Sequence, residues 1–106
     1  MMKENCLTLS GIVYKQPIIK VSPSGIFHYH FILDHCSIQR EAGFYRKAWC
    51  RLSVIISGKE SLKITSNIIN KAKITVRGFI SCHQGRNGLN KIVLHAKTVD
   101  SIYSGD

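Results

Sequence analysis

Cationic and aromatic side chains alternate along the middle of this chain. Tyr45, Lys47, Trp49 and Arg51 occupy every second position, and side chains at every second position of an extended strand share one face. A flat aromatic ring between cations can stack on a nucleobase while its neighbours hold phosphates. The alternation therefore predicts a platform for a single-stranded nucleic acid. Two alternatives stay open: Trp49 could pack against cations on an ordinary surface, or it could lie at a subunit interface.

A second group of side chains has the types that a metal or acid–base site would need. His28 and His30 would share a strand face, and Asp34 and His35 follow them. Imidazole and carboxylate groups suit zinc, although alternating histidines on a half-polar strand are more often hydrogen-bonded surface groups. The sequence carries no Walker loop, no GxSxG motif, no zinc-deaminase signature and no acidic quartet of a metal-dependent nuclease. We predict no catalytic residue, metal or cofactor, with a metal at these histidines as the alternative.

The charge of the chain points to a polyanionic partner. The 106 residues include 15 Lys and Arg against 6 Asp and Glu, for a net charge of +9. Residues 61–99 hold seven of the basic residues and no acidic one. A clustered positive field attracts polyanions such as nucleic acids, and a solubilising basic surface is the alternative. The length predicts a single domain over residues 1–106 with a thin core.

Targeting and redox signals are weak. No apolar run approaches the roughly 18 residues of a membrane span, so we expect a cytoplasmic protein without membrane contact. The four cysteines, at positions 6, 36, 50 and 82, form no CxxC pair, and we expect reduced thiols.

Five strands are needed to position these residues. Alternation with period two recurs along the chain, which predicts an all-β protein. The predicted strands cover Leu7–Val21, Ile26–His35, a third strand that begins near Phe44, Lys73–His83 and Leu89–Val99. A loop through 41–43 precedes the third strand, and segment 58–71 is a loop, with one short helical turn as the alternative. The residues expected to face the core are Ala48, Cys50, Leu52, Val54 and Ile56, then Ile74, Val76, Ile80 and Cys82, and finally Ile92, Leu94 and Ala96.

Turn and bend signals complete this pattern. Residues 22–25, Ser-Pro-Ser-Gly, predict a tight turn. Asn87-Gly88 predicts a hairpin with a basic tip. Gly78 interrupts the fourth strand, as in strands that curve to close a barrel. Together these features predict a five-stranded Greek-key barrel of the oligonucleotide-binding (OB) type.

Longer segments of the sequence resemble one family. LSGIVYKQPIIKVSPSGI, EAGFYRKAWCRLSVIISG, ITVRGFISCH and NGLNKIVLHA, with a terminal SGD, look like the primosomal replication protein N (PriB) family, from about Leu7 to Asp106. The resemblance implies a homodimer of OB barrels that binds single-stranded DNA in replication restart. It further implies that such a protein stabilises PriA helicase on DNA, stimulates unwinding, and helps recruit DnaT for reloading of the replicative helicase at stalled forks.

The resemblance also implies particular contacts. Trp49 and Phe44 match aromatic positions, Lys20 matches the basic residue before the SPSG turn, and Arg86 and Lys91 match cations of the distal hairpin. The alternation of the strands themselves adds further nucleic-acid-binding candidates, which are Lys47 and Arg51 beside Trp49 and His83 on the cationic face of the fourth strand.

The chain departs from the family pattern at three positions. Gln84 and Cys36 stand where relatives usually carry a basic residue, and Phe27 replaces a proline. We expect weaker or redistributed phosphate contact, offset by Lys47 and Arg51. Two other functions remain open from the residues alone: an RNA binder of the cold-shock kind, and a protein-interaction adaptor whose basic hairpin docks an acidic partner.

Overall fold

The computed structural model describes residues 1–58 and 68–102, which form five strands. The strands are β1 (Leu7–Val21), β2 (Phe27–Glu41), β3 (Phe44–Ser57), β4 (Lys73–Gln84) and β5 (Asn90–Ser101). They close into a barrel in the order β1-β2-β3-β5-β4, with β3 and β5 parallel and every other pair antiparallel. The predicted OB barrel is confirmed.

Strand β1 belongs to both sides of the barrel. Its first half, Leu7–Ile12, pairs with β4, and the half from Ile12 onward pairs with β2. Gly11 lies where the chain passes between them, and a Cβ atom there would be 2.5 Å from the carbonyl oxygen of Asp34. Only glycine leaves room for this close approach of two backbones. Gly11 is therefore the residue that permits the bend of β1.

The core consists of the inward residues of all five strands. Leu33, Val54, Ile74 and Leu94 are fully buried, and each contributes roughly 1.5–3 kcal/mol through removal of its side chain from water. The Tyr29 hydroxyl donates to the carbonyl of Ile68, at 2.9 Å, so this buried phenol has a hydrogen-bond partner. Most of the predicted core alternation is confirmed.

Four residues predicted to face the core are exposed instead. They are Cys50, Ile80, Cys82 and Ile92. The β2–β3 and β4–β5 hairpins extend past the barrel, where no second layer from the described residues covers either face of the strand pair. The radius of gyration, 15.0 Å, exceeds the about 13 Å of a compact domain of this length, as expected from such extensions. Alternation alone does not reveal where a strand leaves the barrel.

Strand β2 is longer than predicted. It continues past His35 to Glu41, and only Ala42 and Gly43 form the turn, with φ of 53° and 81°. The polar residues before this turn suggest a loop by sequence alone. They form a strand because a projecting hairpin needs no apolar face. The other two turns form as predicted: the Gly25 amide donates to the Ser22 carbonyl, and the Gly88 amide donates to the Gly85 carbonyl.

Some predictions lie outside the described residues. The central part of segment 58–71, residues 59–67, and the terminal SGD are among them. The four cysteines are free, and all are exposed. Within residues 1–58 and 68–102, no helix has the length and apolar character needed to cross a membrane.

Candidate nucleic-acid interface

The outer face of the β2–β3 pair carries the predicted aromatic platform. Trp49 opposes Cys36 and Arg51 opposes Asp34 across the ladder. The Trp49 side chain is 58% exposed, and its odd spacing from the buried residues Val54 and Ile56 puts it on the face of β3 that points away from the core. Within the single chain, its ring is available to a flat ligand.

Asp34 holds this platform from the neighbouring strand. The indole Nε1–H of Trp49 donates to Asp34 Oδ1 at 2.9 Å, and Arg51 Nε lies 3.7 Å from the same oxygen. The Arg51 guanidinium is 4.0 Å from the ring centroid of Tyr14 and 5.3 Å from that of Trp49. Sequence reasoning missed Tyr14 and assigned Asp34 to a different cluster. Only the register between β2 and β3 brings Asp34 opposite Arg51.

A row of three rings and one isoleucine crosses the same outer face farther along. His30 pairs with Ile55, Ile55 with His95, and His95 with Phe79. The Phe79 and His95 rings are stacked, with centroids 4.7 Å apart and planes 8° from parallel. Ile55 is six residues from Trp49 on β3, about 20 Å along an extended strand. The two groups thus mark out a continuous surface long enough for several nucleotides.

Burial and neighbouring positive charges lower the pKa values of the two histidines in this row, His30 and His95. Burial lowers the pKa of His30, and Lys20, His28 and His83 lower it further. Burial likewise lowers the pKa of His95, with a second contribution from His83. Both imidazoles are therefore mainly neutral at pH 7, since the ordinary histidine pKa is already near 6.5.

An open cleft of about 240 Å³ lies between the middle of β1, the β2–β3 face and the start of β5. Its lining residues include Tyr14, His30, Ser53 and Lys91. Lys91 also pairs with His83 next to the turn of the β4–β5 hairpin. The cleft therefore connects the Tyr14 side of the platform with the histidine row.

The remaining predicted contacts lie at two tips. Lys47 is exposed two residues from Trp49 on the same face of β3. Arg86 lies in the turn of the β4–β5 hairpin and is exposed. Phe44 does not join the platform: it is 73% exposed at the β2–β3 tip, about 17 Å from Trp49 along the strand and on its opposite face.

The histidine and aspartate cluster has other partners. His28 Nδ1 is 2.8 Å from Ser57 Oγ, and Asp34 is engaged by Trp49. Throughout the described ranges, no three His, Cys, Asp or Glu side chains come together in a way that could hold a metal ion. The structure thus gives no support to the alternative of a metal at these histidines.

A closed five-stranded OB barrel that displays an aromatic ring among cations on its β2–β3 face has the architecture of a single-strand-binding protein. Residues 5–98 match the model of a family described as "Another single-strand binding protein family". The chain belongs to the replication restart protein PriB family. It is 61% identical over 105 residues to the replication restart protein PriB of Serratia proteamaculans, across 99% of this chain and 100% of that protein. It is 57% identical over 106 residues to the protein of the same name from Yersinia enterocolitica, across the full length of both.

Solved structures share the fold at much lower identity. The PriB protein of Ralstonia solanacearum superposes with a TM-score of 0.77 at 15% identity, covering 95% of this chain and 100% of that one. A small single-stranded DNA-binding protein from Streptomyces coelicolor gives 0.74 at 13% identity, covering 96% of each chain. The barrel is thus preserved where most side chains differ.

Proposed function

We propose that this protein is a non-catalytic single-stranded DNA-binding factor of replication restart. The observation that carries the proposal is Trp49, exposed where the β2–β3 hairpin leaves the barrel, held at its edge by Asp34 and accompanied by Arg51. A base would stack on the indole, and the strand would continue over the histidine row. Stacking reads no base edge, so binding would tolerate many sequences.

Phosphate contacts would come from cations around this path. The proposed contacts are Lys20, Lys47, Arg51, His83, Arg86 and Lys91, with Phe44 as an additional stacking residue at the tip of the β2–β3 hairpin. Gln84 and Cys36 contribute no charge. Cys36 lies directly opposite Trp49, and its lost charge would be offset by Arg51 on the other side of the ring.

The proposed assembly is a homodimer of the single OB domain formed by residues 1–106, acting in the cytoplasm. In that setting it would stabilise PriA helicase on DNA, stimulate its unwinding and help recruit DnaT, so that the replicative helicase is reloaded at a stalled fork. The family membership supports this role, and so does a basic hairpin that projects from the barrel. The direct test is unwinding of a forked DNA by PriA with and without this protein. An unwinding rate that does not respond would contradict the helicase role.

The first experiment is a binding titration. A labelled oligo-dT of about 35 nucleotides is titrated with the protein at two salt concentrations and followed by fluorescence anisotropy, with the mass in solution measured by light scattering. We expect salt-sensitive binding by a species of about 24 kDa, twice the chain mass of 11.9 kDa. An affinity independent of salt would reject phosphate contacts, and no binding at low salt would reject the function. A matched ribo-oligomer that binds more tightly than the oligo-dT would redirect the assignment to RNA.

A further inference from the structure

We propose that Asp34 is the positioning residue of the nucleic-acid face: it orients Trp49 and holds Arg51 between Tyr14 and Trp49, so that the stacking surface is formed before DNA arrives. This inference rests on the proposed function, because it assigns a role to the face that would bind single-stranded DNA. Asp34 would not touch DNA itself. It would act through Trp49 and Arg51.

An acidic residue at this place needs an explanation. The chain has 6 acidic residues against 15 basic ones, and Asp34 lies in the middle of the surface where phosphates would pass. A carboxylate there repels phosphate, which by itself weakens binding. The Asp34 side chain is 32% exposed, so water screens only part of that repulsion. A compensating role is therefore expected of it.

The geometry supplies this role through a single oxygen. Trp49 Nε1 is 2.9 Å from Asp34 Oδ1, and Arg51 Nε is 3.7 Å from it. The indole has only one hydrogen-bond donor, which lies in the ring plane. A bond to it fixes the ring edge without covering either face. The Asp34 contact to Arg51 is made through Nε.

Tyr14 supports Arg51 from the third strand of the site. Its ring lies 4.0 Å from the Arg51 guanidinium and 5.3 Å from Lys15 Nζ. Tyr14 is the last residue before the register of β1 slips, and Lys15 has a φ of 66°. The regular pairing of Tyr14 with Ile32 up to that point places the Tyr14 ring beside Arg51, and Asp34 contacts Arg51 from β2. Preformed contacts of this kind reduce the ordering needed on binding.

Two substitutions separate charge from position. Asp34→Asn removes the negative charge but keeps an oxygen that can accept from the indole, whereas Asp34→Ala removes both. Both variants gain the same relief from repulsion, so any difference between them reports on position. We expect Asp34→Ala to bind oligo-dT roughly three- to tenfold more weakly than Asp34→Asn, the range of one lost hydrogen bond. Asp100→Asn, an equal charge change on β5, is the control for net charge.

The single tryptophan of the chain gives a readout that needs no DNA. In the wild type and in Asp34→Asn, we expect the time-resolved fluorescence anisotropy of Trp49 to lack a large subnanosecond component. In Asp34→Ala that component should appear, because the ring edge is released. Circular dichroism and the melting temperature of each variant establish that the barrel is folded.

The outcomes are distinct. Equal oligo-dT affinity for Asp34→Ala and Asp34→Asn, or unchanged anisotropy decay in Asp34→Ala, overturns the positioning role. Absence of oligo-dT binding by the wild type overturns the proposed function, while the anisotropy decay still decides whether Asp34 orients Trp49.

Removal of Arg51 provides a second measurement of the same role. Arg51→Met is made in the wild type and in the Asp34→Ala variant, and the loss of oligo-dT affinity is compared between the two backgrounds. If Asp34 holds Arg51 in place, the loss should be larger in the wild type, where Arg51 is positioned, than in Asp34→Ala. An equal loss of oligo-dT affinity in both backgrounds contradicts the role of Asp34 in holding Arg51.

Discussion

Asp34 illustrates how a residue's chemistry depends on what lies opposite it. In the sequence it stands beside three histidines, a grouping that suggests acid–base or metal chemistry. In the barrel it opposes Arg51 and accepts a hydrogen bond from Trp49. The carboxylate therefore supports a stacking surface. Trp49, by contrast, has the exposure that its alternation with cations predicts.

Removal of the Trp49 ring tests stacking directly. Because base–aromatic stacking contributes roughly 1–3 kcal/mol per base, Trp49→Ala should weaken oligo-dT binding by about ten- to a hundredfold. Trp49→Phe should lose less, since a ring remains. The measurement is an anisotropy titration at one salt concentration. Ile102→Ala, at an exposed apolar residue beyond β5, is the control, and an equal effect of both alanine variants would argue against stacking.

Phosphate contacts can be tested by salt dependence. Each neutralised phosphate of a single strand adds about 0.7 to the slope of log K against log salt. Lys47→Ala should therefore reduce that slope by about 0.7, whereas Lys73→Ala, an equal charge change at the opposite end of β4 from the hairpin, should leave it unchanged. Slopes that fall equally in both variants would indicate a general effect of net charge.

At the scale of elements, two long hairpins and one bent strand build the interface. The β2–β3 hairpin carries the platform, and the β4–β5 hairpin brings His83, Arg86 and Lys91 toward it. Both hairpins depend on strands that curve. The register of β4 against β5 slips between Arg77 and Gly78, which confirms the irregularity that Gly78 predicts.

Gly78 is the residue at which curvature leaves no room for a side chain. A Cβ atom there would be 1.8 Å from the carbonyl oxygen of His95, so backbone must move. Overpacking costs typically 1–3 kcal/mol and sometimes more, and we expect Gly78→Ala to lower the free energy of unfolding by about 3 kcal/mol or to prevent folding. Urea unfolding of the wild type and of Gly78→Ala measures this difference in the free energy of unfolding.

Gly85→Ala is the matched control for that prediction. Its Cβ would meet mainly the Asn87 side chain, at 3.1 Å, which can move. We expect a change below about 1 kcal/mol, as for an ordinary surface substitution. Similar losses at both glycines would show that the close approach at Gly78 is not what limits the barrel.

At the scale of the whole molecule, the basic surface links ligand binding to pH. His30 and His95 have pKa values lowered by burial and by neighbouring positive charge. Nearby phosphates would offset that repulsion and favour the protonated imidazoles. DNA binding and folding should therefore respond to acid in opposite directions.

The sign for stability follows from linkage. Because the native pKa of each histidine lies below the ordinary value near 6.5, the unfolded chain binds protons more readily as the pH falls through that value. Stability should be highest above about pH 7.5 and decrease toward about pH 5.5, as measured by urea unfolding across this range. In the double variant His30→Gln/His95→Gln the decrease should be smaller. A decrease of the same size in the variant would assign it to other groups.

Local sequence patterns were enough to predict much of the structure of this protein. The turns at 22–25 and 87–88 follow from the fixed φ of Pro and the backbone freedom of Asn and Gly, and the buried positions of the inner half of β3 and the first half of β4 follow from alternation. The face of β3 that Trp49 occupies follows from the same alternation. The basic character of the surface is a property of composition. These features depend on residues close together in the chain.

Other features depend on residues far apart in the chain, and only the tertiary structure decided them. The barrel ends before Cys50 and Ile80, so residues with a core pattern lie exposed on projecting hairpins. Tyr14, Asp34 and Arg51 come together because β1, β2 and β3 pair in one particular register. A shift of one residue in that register would turn every side chain to the other face. Alternation therefore determines which residues share a face, and strand pairing determines which of them meet.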